Sequence, residues 1–292
     1  DAIVMVPWTL YEMYGEKSFL SDNYEAMKKF LSAREARVSD GLVGDGWEFG
    51  DWLAMDLEPL IDSPIGRTDV KYIVNAFYAA SLDIVANVAA ILEKPDEARN
   101  YRARREKLIE DMRAEYFTPS GRLAIDTVTA QVLALQFHIV DEKFRAKLAF
   151  DLSENVKKHH YLVSTGFVGT AYLLFTLADN GYFETARRLL LNNGCPGWLY
   201  EVDMGATTVW ERWNSLTFDK HPNPDEMNSY NHYAFGAAAE FVYRRIAGID
   251  SAAPGFEKIV IAPVPTKGMP SVRAEYDSVK GKIISGYESK GN

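Results

Sequence analysis

Residues 68–93 read TDVKYIVNAFYAASLDIVANVAAILE and contain the clearest structural signal in the chain. Their apolar side chains recur mainly at three- and four-residue spacing, which places them on one face of a helix. Asn75 and Asp83 fall beside this apolar stripe, so the predicted helix has a buried face and a more polar face. Pro95 cannot continue a helix interior but fits the first turn of a new helix, so a second helix is expected to follow directly.

Amphipathic segments of this kind follow one another along most of the chain. They predict helices over residues 2–14, 19–36, 68–93, 95–116, 127–139, 142–158, 166–179, 182–193 and 231–247. Helical hairpins stack either as a toroid or as a superhelical solenoid, and a solenoid keeps a constant repeat length. These segments differ in length and show no strict repeat, so the sequence predicts an all-α fold built as a toroid of helical hairpins.

The pattern changes after residue 249. FEKIVIAP, residues 256–263, is typical of a strand, and SVRAEYDSVKGKIISGYES, residues 271–289, has alternating character with glycine breaks. We therefore predict a helical domain over residues 1–249 and the start of a β-rich domain over residues 250–292.

Composition limits the classes of partner. The 292-residue chain is 47% hydrophobic, which is enough apolar material for a folded core, and its formal net charge is −9. That charge repels phosphate backbones, so neither nucleic acid nor an anionic membrane surface is an expected partner. No apolar run approaches the roughly 20 residues that cross a bilayer. The single cysteine excludes an intrachain disulfide, and the first residues do not resemble a signal peptide, so the sequence leaves the compartment open.

Two long segments interrupt the helical pattern. They are DGLVGDGWEFGDWLAMDLEPLIDSPIG, residues 40–66, and GCPGWLYEVDMGATTVWERWNSLTFDKHPNPDEMNSY, residues 194–230. Loops of this length inside a compact helical domain are uncommon and are usually functional. The helices are therefore expected to form the scaffold, and these two loops to carry the site.

The second loop combines carboxylates, among them Glu201, Asp203, Glu211 and Asp219, with the tryptophans Trp198, Trp210 and Trp213. Glu211 lies between Trp210 and Arg212. Aromatic neighbours remove part of the water around a carboxylate, whereas an arginine stabilises its charge. Glu211 is therefore a candidate catalytic carboxylate, and the alternative is an ordinary Glu–Arg pair on the surface.

The first loop also combines carboxylates with aromatic residues: Asp45, Glu48, Asp51, Asp56, Trp47 and Trp52. Paired carboxylates suit glycoside cleavage, in which one acid protonates the leaving oxygen while a second carboxylate activates water or attacks the sugar. The alternative is a purely structural or calcium-like acidic loop. The ligand spacing of an EF-hand is not present.

Other chemistries find little support. A lone histidine such as His232, in NHYAFG, is more often structural than catalytic, and the spacing of the histidines matches no metal-binding pattern, so no metal site is expected. Walker, GxGxxG and GxSxG motifs are missing from the sequence, so nucleotide and serine-esterase chemistry are not indicated.

Several long motifs together resemble a known family. They are PWTLYEMYG (7–15), FGDWL (49–53), STGFVGTAYLLFTLADNGY (164–182), GATTVWERWNS (205–215), NHYAFGAAAEFVYRRIAGI (231–249) and YDSVKGKI (276–283). This set is similar to the α-L-rhamnosidases of glycoside hydrolase family 78. The resemblance implies an (α/α)6 barrel followed by a C-terminal β-domain, hydrolysis with inversion, no cofactor, and a substrate with terminal α-L-rhamnose on a glycoside or polysaccharide.

The resemblance also implies site residues. The general base of the family falls on Glu211, and its sugar-site histidine falls on His232. Asp51 and Trp52 are similar to sugar-contacting positions, and Trp210, beside the base, is expected to form a wall of the site.

The family's general acid lies in an acidic segment upstream of the helix that contains PWTLYEMYG, which would precede residue 1. Nine predicted helices are also fewer than the twelve of an (α/α)6 barrel. We therefore expect a chain truncated at both ends, with weak activity because general acid catalysis is typically worth about 10²–10⁴-fold. Exposed apolar helix faces would favour self-association as a homo-oligomer or a partner that supplies the missing helices.

Two alternatives remain open at this point. Another (α/α)6 enzyme, such as a phosphorylase, would need a basic phosphate pocket, and Arg212 is the only basic residue in GATTVWERWN. A non-catalytic sugar-binding protein would bind sugar without turnover.

Overall fold

The computed structural model describes residues 1–44, 46–56 and 64–289, and most of these residues are helical, as predicted. The described α-helices are α1 Ala2–Tyr14, α2 Ser18–Ser21, α3 Tyr24–Glu35, α4 Val70–Ile91, α5 Pro95–Tyr116, α6 Val128–Gln136, α7 Glu142–Lys158, α8 Phe167–Asp179, α9 Phe183–Leu190, α10 Trp198–Asp203 and α11 Ala238–Phe241. Eight of the nine predicted helical segments agree with these helices within a few residues. One of the eight, residues 19–36, is divided into two helices, α2 and α3. The ninth is only partly α-helical.

The divided segment is the predicted helix over residues 19–36. The chain turns between α2 and α3, where the Asn23 amide donates to the Phe19 carbonyl at 2.9 Å. A side chain that satisfies a backbone carbonyl in this way favours a turn over a continuous helix.

The predicted helix over residues 231–247 is a succession of three helical types. A 3-10 turn, Ala234–Ala237, precedes α11, and a π-helix, Val242–Ile246, follows it. The carbonyl oxygens at its end have partners outside the helix, since Val264 N donates to Ile246 O at 3.0 Å and Ser285 Oγ donates to Ala247 O at 2.6 Å. Tertiary contacts therefore replace a regular α-helical ending.

The described strands form three antiparallel pairs. They are β1 Val38–Ser39 with β2 Leu42–Val43, β3 Ile249–Ala253 with β4 Lys258–Ile261, and β5 Ser271–Ser278 with β6 Gly281–Glu288. The last two pairs confirm the strands predicted after residue 249. The division into domains at that residue stays a proposal.

The described chain clusters into two compact units. Unit 1 contains Asp1–Trp47, Val74–Tyr116 and Val242–Asn292, and unit 2 contains Glu48–Ile73 and Phe117–Phe241. Asp51, Trp52, Trp210, Glu211 and His232 lie in unit 2.

In unit 1, Asn75 corrects an expectation from the helical pattern. The side chain lies beside the apolar stripe of α4 but is fully buried. Its amide donates to Val43 O at 3.1 Å, and its oxygen accepts from Val43 N at 2.8 Å. A buried amide is tolerated because both of its polar atoms are satisfied. Asp83, in contrast, is exposed as predicted.

The length and apolar composition of α4 would by themselves allow it to cross a membrane, and 72% of its most apolar part is buried inside the protein. Among the described residues it is the one helix with both properties. Burial of this extent is typical of a core helix.

In unit 2, α6, α7, α8 and α9 pack around a shared core. All residues from Val128 to Leu135 of α6 are buried. Burial of a large aliphatic side chain stabilises the fold by roughly 1.5–3 kcal/mol. The first turn of α6 is capped by Thr127, whose hydroxyl accepts a hydrogen bond from Ala130 N at 3.3 Å. The core thus fixes α6 and α8, which supply partners to the first loop.

Candidate active site

Asp51, in the first loop, is fully buried, and its carboxylate is the most heavily hydrogen-bonded group of the site. One oxygen accepts from the Thr129 hydroxyl and from Gly166 N at 2.8 Å. The other accepts from Val168 N at 3.1 Å and from Gly169 N at 3.2 Å. The carboxylate therefore caps the start of α8, where backbone N–H groups lack helical partners and the helix dipole favours negative charge.

Two opposing effects set the protonation of Asp51. Burial raises the pKa of its carboxyl to about 6, and the hydrogen bonds from Thr129, Gly166 and Gly169 oppose that rise. Near pH 7 the side chain is therefore mainly ionised.

Gly166 allows the first loop to reach α8. A Cβ atom at this position would lie 2.2 Å from the Trp52 carbonyl oxygen and 2.8 Å from Ala54 N, so a larger residue cannot occupy it without a backbone shift. The same close approach lets Phe167 N donate to Trp52 O at 2.9 Å. The absence of a side chain at Gly166 is therefore what allows the first loop to pack against the start of α8.

Trp52 is half-buried, and its ring meets Phe49 edge-to-face at 5.7 Å between centroids. A second hydrogen bond joins the two ends of the loop around Trp52, because Gly66 N donates to Asp51 O at 3.1 Å.

Asp45 and residues 57–63 of the predicted first loop lie outside the described residues. Asp56 accepts from Arg67 N at 3.0 Å, and burial raises the pKa of its carboxyl.

His232 belongs to a stack of three aromatic rings. Its imidazole lies 5.0 Å from the Phe167 ring on one side, at an angle of 20°, and 5.6 Å from the Tyr233 ring, at 8°. Tyr233 is 89% exposed, so the stack extends from the start of α8 to the solvent. The Ala234 N–H donates to His232 Nδ1 at 3.4 Å, and His232 N donates to Val209 O at 2.9 Å.

Glu211 is half-buried and held by Ser229. Glu211 N donates to Ser229 O at 2.9 Å, and Ser229 N donates to Glu211 Oε2 at 3.2 Å. The Arg212 guanidinium lies 3.3 Å from an Asp225 oxygen, so Arg212 pairs with Asp225 and not with Glu211. The alternative interpretation of Glu211 as half of a Glu–Arg surface pair therefore does not describe this loop.

Trp210 is only 3% exposed. Its ring meets Tyr230 edge-to-face at 5.6 Å, and its backbone N–H donates to Glu201 Oε2 at 3.2 Å. Glu201 is likewise 3% exposed, and burial raises the pKa of its carboxyl to about 8. Within the described part of the chain, Glu201 Oε1 has no hydrogen-bond partner.

The other two tryptophans of the second loop are packing residues. Trp213 is fully buried and stacks on Phe235 at 4.1 Å, and Trp198 meets Trp213 edge-to-face at 5.2 Å. Trp198 Nε1 also donates to Phe235 O at 2.8 Å. Aromatic residues in a candidate site loop thus divide between core and surface, and sequence alone does not separate them.

Direct contacts connect most of the predicted site residues. They run from Trp52 to Phe167 through a backbone hydrogen bond, from Phe167 to His232 by stacking, and from His232 to Val209, two residues before Glu211. Four residues of these contacts were not predicted from the sequence as site residues: Phe167, Thr129, Ser229 and Tyr233. Phe167 and Tyr233 lie within the quoted motifs, whereas Thr129 has no local sequence signal.

No group of three or more His, Cys, Asp or Glu side chains could hold a metal ion within residues 1–44, 46–56 and 64–289.

Comparison with known protein families shows to which family the chain belongs. Residues 1–246 match the family profile described as the bacterial alpha-L-rhamnosidase 6 hairpin glycosidase domain. Residues 248–292 match the bacterial alpha-L-rhamnosidase C-terminal domain. The chain belongs to the bacterial α-L-rhamnosidase six-hairpin glycosidase family. The predicted resemblance is therefore confirmed.

Curated relatives carry the same name. The alpha-L-rhamnosidase of Streptomyces avermitilis is 34% identical over 290 residues, which are 99% of this chain and 27% of that protein. The alpha-L-rhamnosidase of Formosa agariphila is 32% identical over an alignment of 294 positions, which covers 99% of this chain and 31% of that protein. The chain thus spans less than a third of the length of these relatives.

Solved structures confirm the fold class. The Streptomyces avermitilis α-L-rhamnosidase complexed with L-rhamnose has a TM-score of 0.90 at 34% identity, over 99% of this chain and 27% of that one. The native enzyme from Aspergillus terreus has a TM-score of 0.93 at 32% identity, over 98% of this chain and 33% of that one. The predicted six-hairpin helical fold, followed by β-strands in the C-terminal part of the chain, is confirmed.

Proposed function

We propose that this chain carries the sugar-binding and water-activating part of an inverting α-L-rhamnosidase, which releases terminal α-L-rhamnose from glycosides or polysaccharides. Family membership supports the substrate class. The observation that carries the mechanism is Glu211, a half-buried carboxylate fixed by Ser229 in a loop that also contacts His232.

Glu211 is proposed as the general base. The Ser229 N–H holds Oε2 at 3.2 Å, which orients the carboxylate and leaves Oε1 to accept a proton from water. In an inverting enzyme, base and acid lie roughly 6.5–9.5 Å apart so that this water fits between the sugar and the base. The origin of the general acid in a segment upstream of the PWTLYEMYG helix stays a prediction.

The sugar is proposed to lie against Trp52 and His232. Both side chains are half-buried, so each keeps some exposed surface. C–H faces of sugars pack well on aromatic rings such as that of Trp52, and His232, whose ring is stacked on Phe167 and Tyr233, would offer its exposed edge. Asp51 and Trp210 were also predicted to contact the sugar, but they are 0% and 3% exposed. We therefore propose direct sugar contact for Trp52 and His232 only.

Acid–base hydrolysis by these residues requires no cofactor. The predictions of no metal, no nucleic acid or membrane partner, and a possible homo-oligomer remain untested. The phosphorylase alternative needs a basic residue that is available to bind phosphate, and Arg212 is the only basic residue of the GATTVWERWN motif. Arg212 already donates to Glu226 O at 3.1 Å and pairs with Asp225, so this alternative loses support.

The test is hydrolysis of p-nitrophenyl α-L-rhamnoside by the protein and its Glu211→Gln variant. This leaving group needs little protonation, so the rate depends mainly on the base. We expect the variant to lose about 10²–10⁴-fold in kcat. Glu226→Gln is the matched control, because Glu226 is an exposed carboxylate of the same loop, and it should keep full activity.

A sugar-binding protein without catalysis is the second candidate, and the ring stack Phe167–His232–Tyr233 would serve it equally well. Calorimetry with L-rhamnose separates the two. Binding with turnover that depends on Glu211 supports the hydrolase, and binding without turnover in the unchanged protein supports the second candidate. Turnover that survives Glu211→Gln contradicts the assignment of the base.

A further inference from the structure

Asp51 is a buried charge to which the proposed mechanism gives no chemical step. Its side chain is fully buried, and its two oxygens accept four hydrogen bonds, two each. A buried carboxylate with this many donors has no free acceptor position directed at a ligand. Its effect must pass through the groups that it holds.

We propose that Asp51 is a positioning residue, which fixes the Trp52 loop against the start of α8 and thereby sets the separation of Trp52 from His232 without touching the sugar. The proposal rests on the proposed function, since it assumes that Trp52 and His232 contact the same sugar.

Three contacts transmit the position of Asp51. Its carboxylate binds the Gly166, Val168 and Gly169 amides, and the Trp52 carbonyl beside it accepts from Phe167 N at 2.9 Å. The Phe167 ring then stacks on His232. A shift of the loop along α8 would therefore change the spacing of the two rings that we assign to the sugar.

The arrangement requires a carboxylate. Each oxygen faces two donors, so an asparagine at position 51 would point its NH₂ group at one of those pairs. Asp51→Asn keeps the shape of the side chain but sets its NH₂ group against at least one backbone N–H donor, since of the four partners only the Thr129 hydroxyl can turn to accept from it. Thr129→Val is a milder change, because it removes one of the four donors and keeps the volume of the side chain.

The experiment measures L-rhamnose affinity by calorimetry, KM and kcat with p-nitrophenyl α-L-rhamnoside, and thermal unfolding for Asp51→Asn and Thr129→Val. We expect a 10-fold or larger rise in Kd and KM for Asp51→Asn and a rise of about 3-fold for Thr129→Val, with kcat changed less than KM in both. Ser153→Ala is the control, because it removes a buried hydrogen bond between α7 and α9 and should lower Tm without changing KM. If Asp51→Asn does not fold, Thr129→Val carries the test.

The affinities of rhamnosides that each lack one hydroxyl, measured with the wild type and with Asp51→Asn, distinguish positioning by Asp51 from direct contact with the sugar. If Asp51 acts by positioning, each analogue loses the same factor in affinity with the wild type and with Asp51→Asn. If Asp51 binds a sugar hydroxyl, one analogue loses affinity only with the wild type, and the proposal fails. Unchanged Kd and KM in folded variants also overturn it. A wild type that neither binds L-rhamnose nor hydrolyses the glycoside overturns the proposed function itself, and this inference with it.

Discussion

The two loops of the candidate site are held by buried carboxyl groups of opposite character. Asp51 supports the first loop with four donors on its two oxygens. Glu201 supports the second loop with one donor, Trp210 N, and among the described residues its other oxygen has no partner. Both side chains are almost completely removed from solvent.

The number of donors decides the charge of each group. Burial raises both pKa values, but the hydrogen bonds on Asp51 hold its pKa at about 6, whereas that of Glu201 rises to about 8. The donors around Asp51 therefore favour its ionised form, whereas the single donor at Glu201 leaves the neutral acid favoured. The second loop is also held by two hydrogen bonds between Glu211 and Ser229, one of which ends on the Glu211 carboxylate. Burial alone therefore does not show whether an acidic residue carries charge.

The largest expected effect on stability is that of Asp51→Ala. The substitution removes the charge and leaves four buried donors without their acceptor, so we expect the unfolding free energy to fall by about 3–5 kcal/mol. Urea denaturation followed by circular dichroism measures this. A loss below 1 kcal/mol would contradict the view that these hydrogen bonds hold the first loop.

Glu201 should act through pH. Its pKa rises from 4.5 to about 8 on folding, so between these values the folded protein keeps a proton that the unfolded chain has lost. The contribution of Glu201 to the unfolding free energy therefore falls as pH rises toward 8, by an amount on the order of a few kcal/mol.

Glu201→Gln tests this without removing the acceptor for Trp210 N, because glutamine is neutral at every pH. We expect the variant to lose less stability than the wild type between pH 5 and pH 8.5, as measured by urea denaturation at both values. Glu226→Gln, an exposed control, should follow the wild type. Parallel curves for Glu201→Gln and the wild type would mean that Glu201 is ionised in the folded protein.

Gly166→Ala should disturb the first loop and leave the second in place. Its Cβ would meet Trp52 O at 2.2 Å, so we expect a destabilisation of about 1–3 kcal/mol and weaker L-rhamnose binding. Gly236→Ala is the matched control in the 3-10 turn after His232, since its Cβ would meet only Val209 Cγ2 at 3.9 Å. Thermal unfolding and calorimetry of both variants are the measurements, and equal behaviour of the two would contradict the close approach.

The smallest effect is expected from Tyr233→Ala. The ring is 89% exposed and contributes to the site only by stacking on His232, an interaction worth about 0.5–1.5 kcal/mol. We expect KM to rise about 2- to 10-fold with little change in Tm. Phe218→Ala, another exposed aromatic of the second loop, should leave KM unchanged, and an equal rise in both variants would exclude a specific role of the stack.

Much of this architecture follows from local patterns. Period-3.6 spacing predicted the long helices and period-2 spacing predicted β5 and β6, because these elements bury part of their surface. The strand β4 was predicted as well, although all four of its residues are exposed. The pair β1 and β2 was missed, since strands of two residues show no periodicity. Asn75 was misplaced because its burial depends on Val43, 32 positions away.

The site was predicted more fully by position than by role. Glu211 and Trp52 lie in loops marked by composition, and all three of Glu211, Trp52 and His232 lie in the family motifs. The role of Asp51 depends on amides 115 to 118 positions later in the chain, which no local pattern reveals. In the sequence Glu201 is one of several carboxylates of the second loop, and only its burial and its single donor distinguish it.

Chemical rescue tests the central claim, that Glu211 activates the attacking water. Azide is a nucleophile that needs no general base, and it fits a space vacated by a carboxylate. In Glu211→Ala, hydrolysis of p-nitrophenyl α-L-rhamnoside should be very slow, and added azide should restore turnover with β-L-rhamnosyl azide as the product. Turnover of Glu211→Ala at the wild-type rate, or a slow variant in which azide restores no turnover, would contradict the assignment of Glu211 as the base.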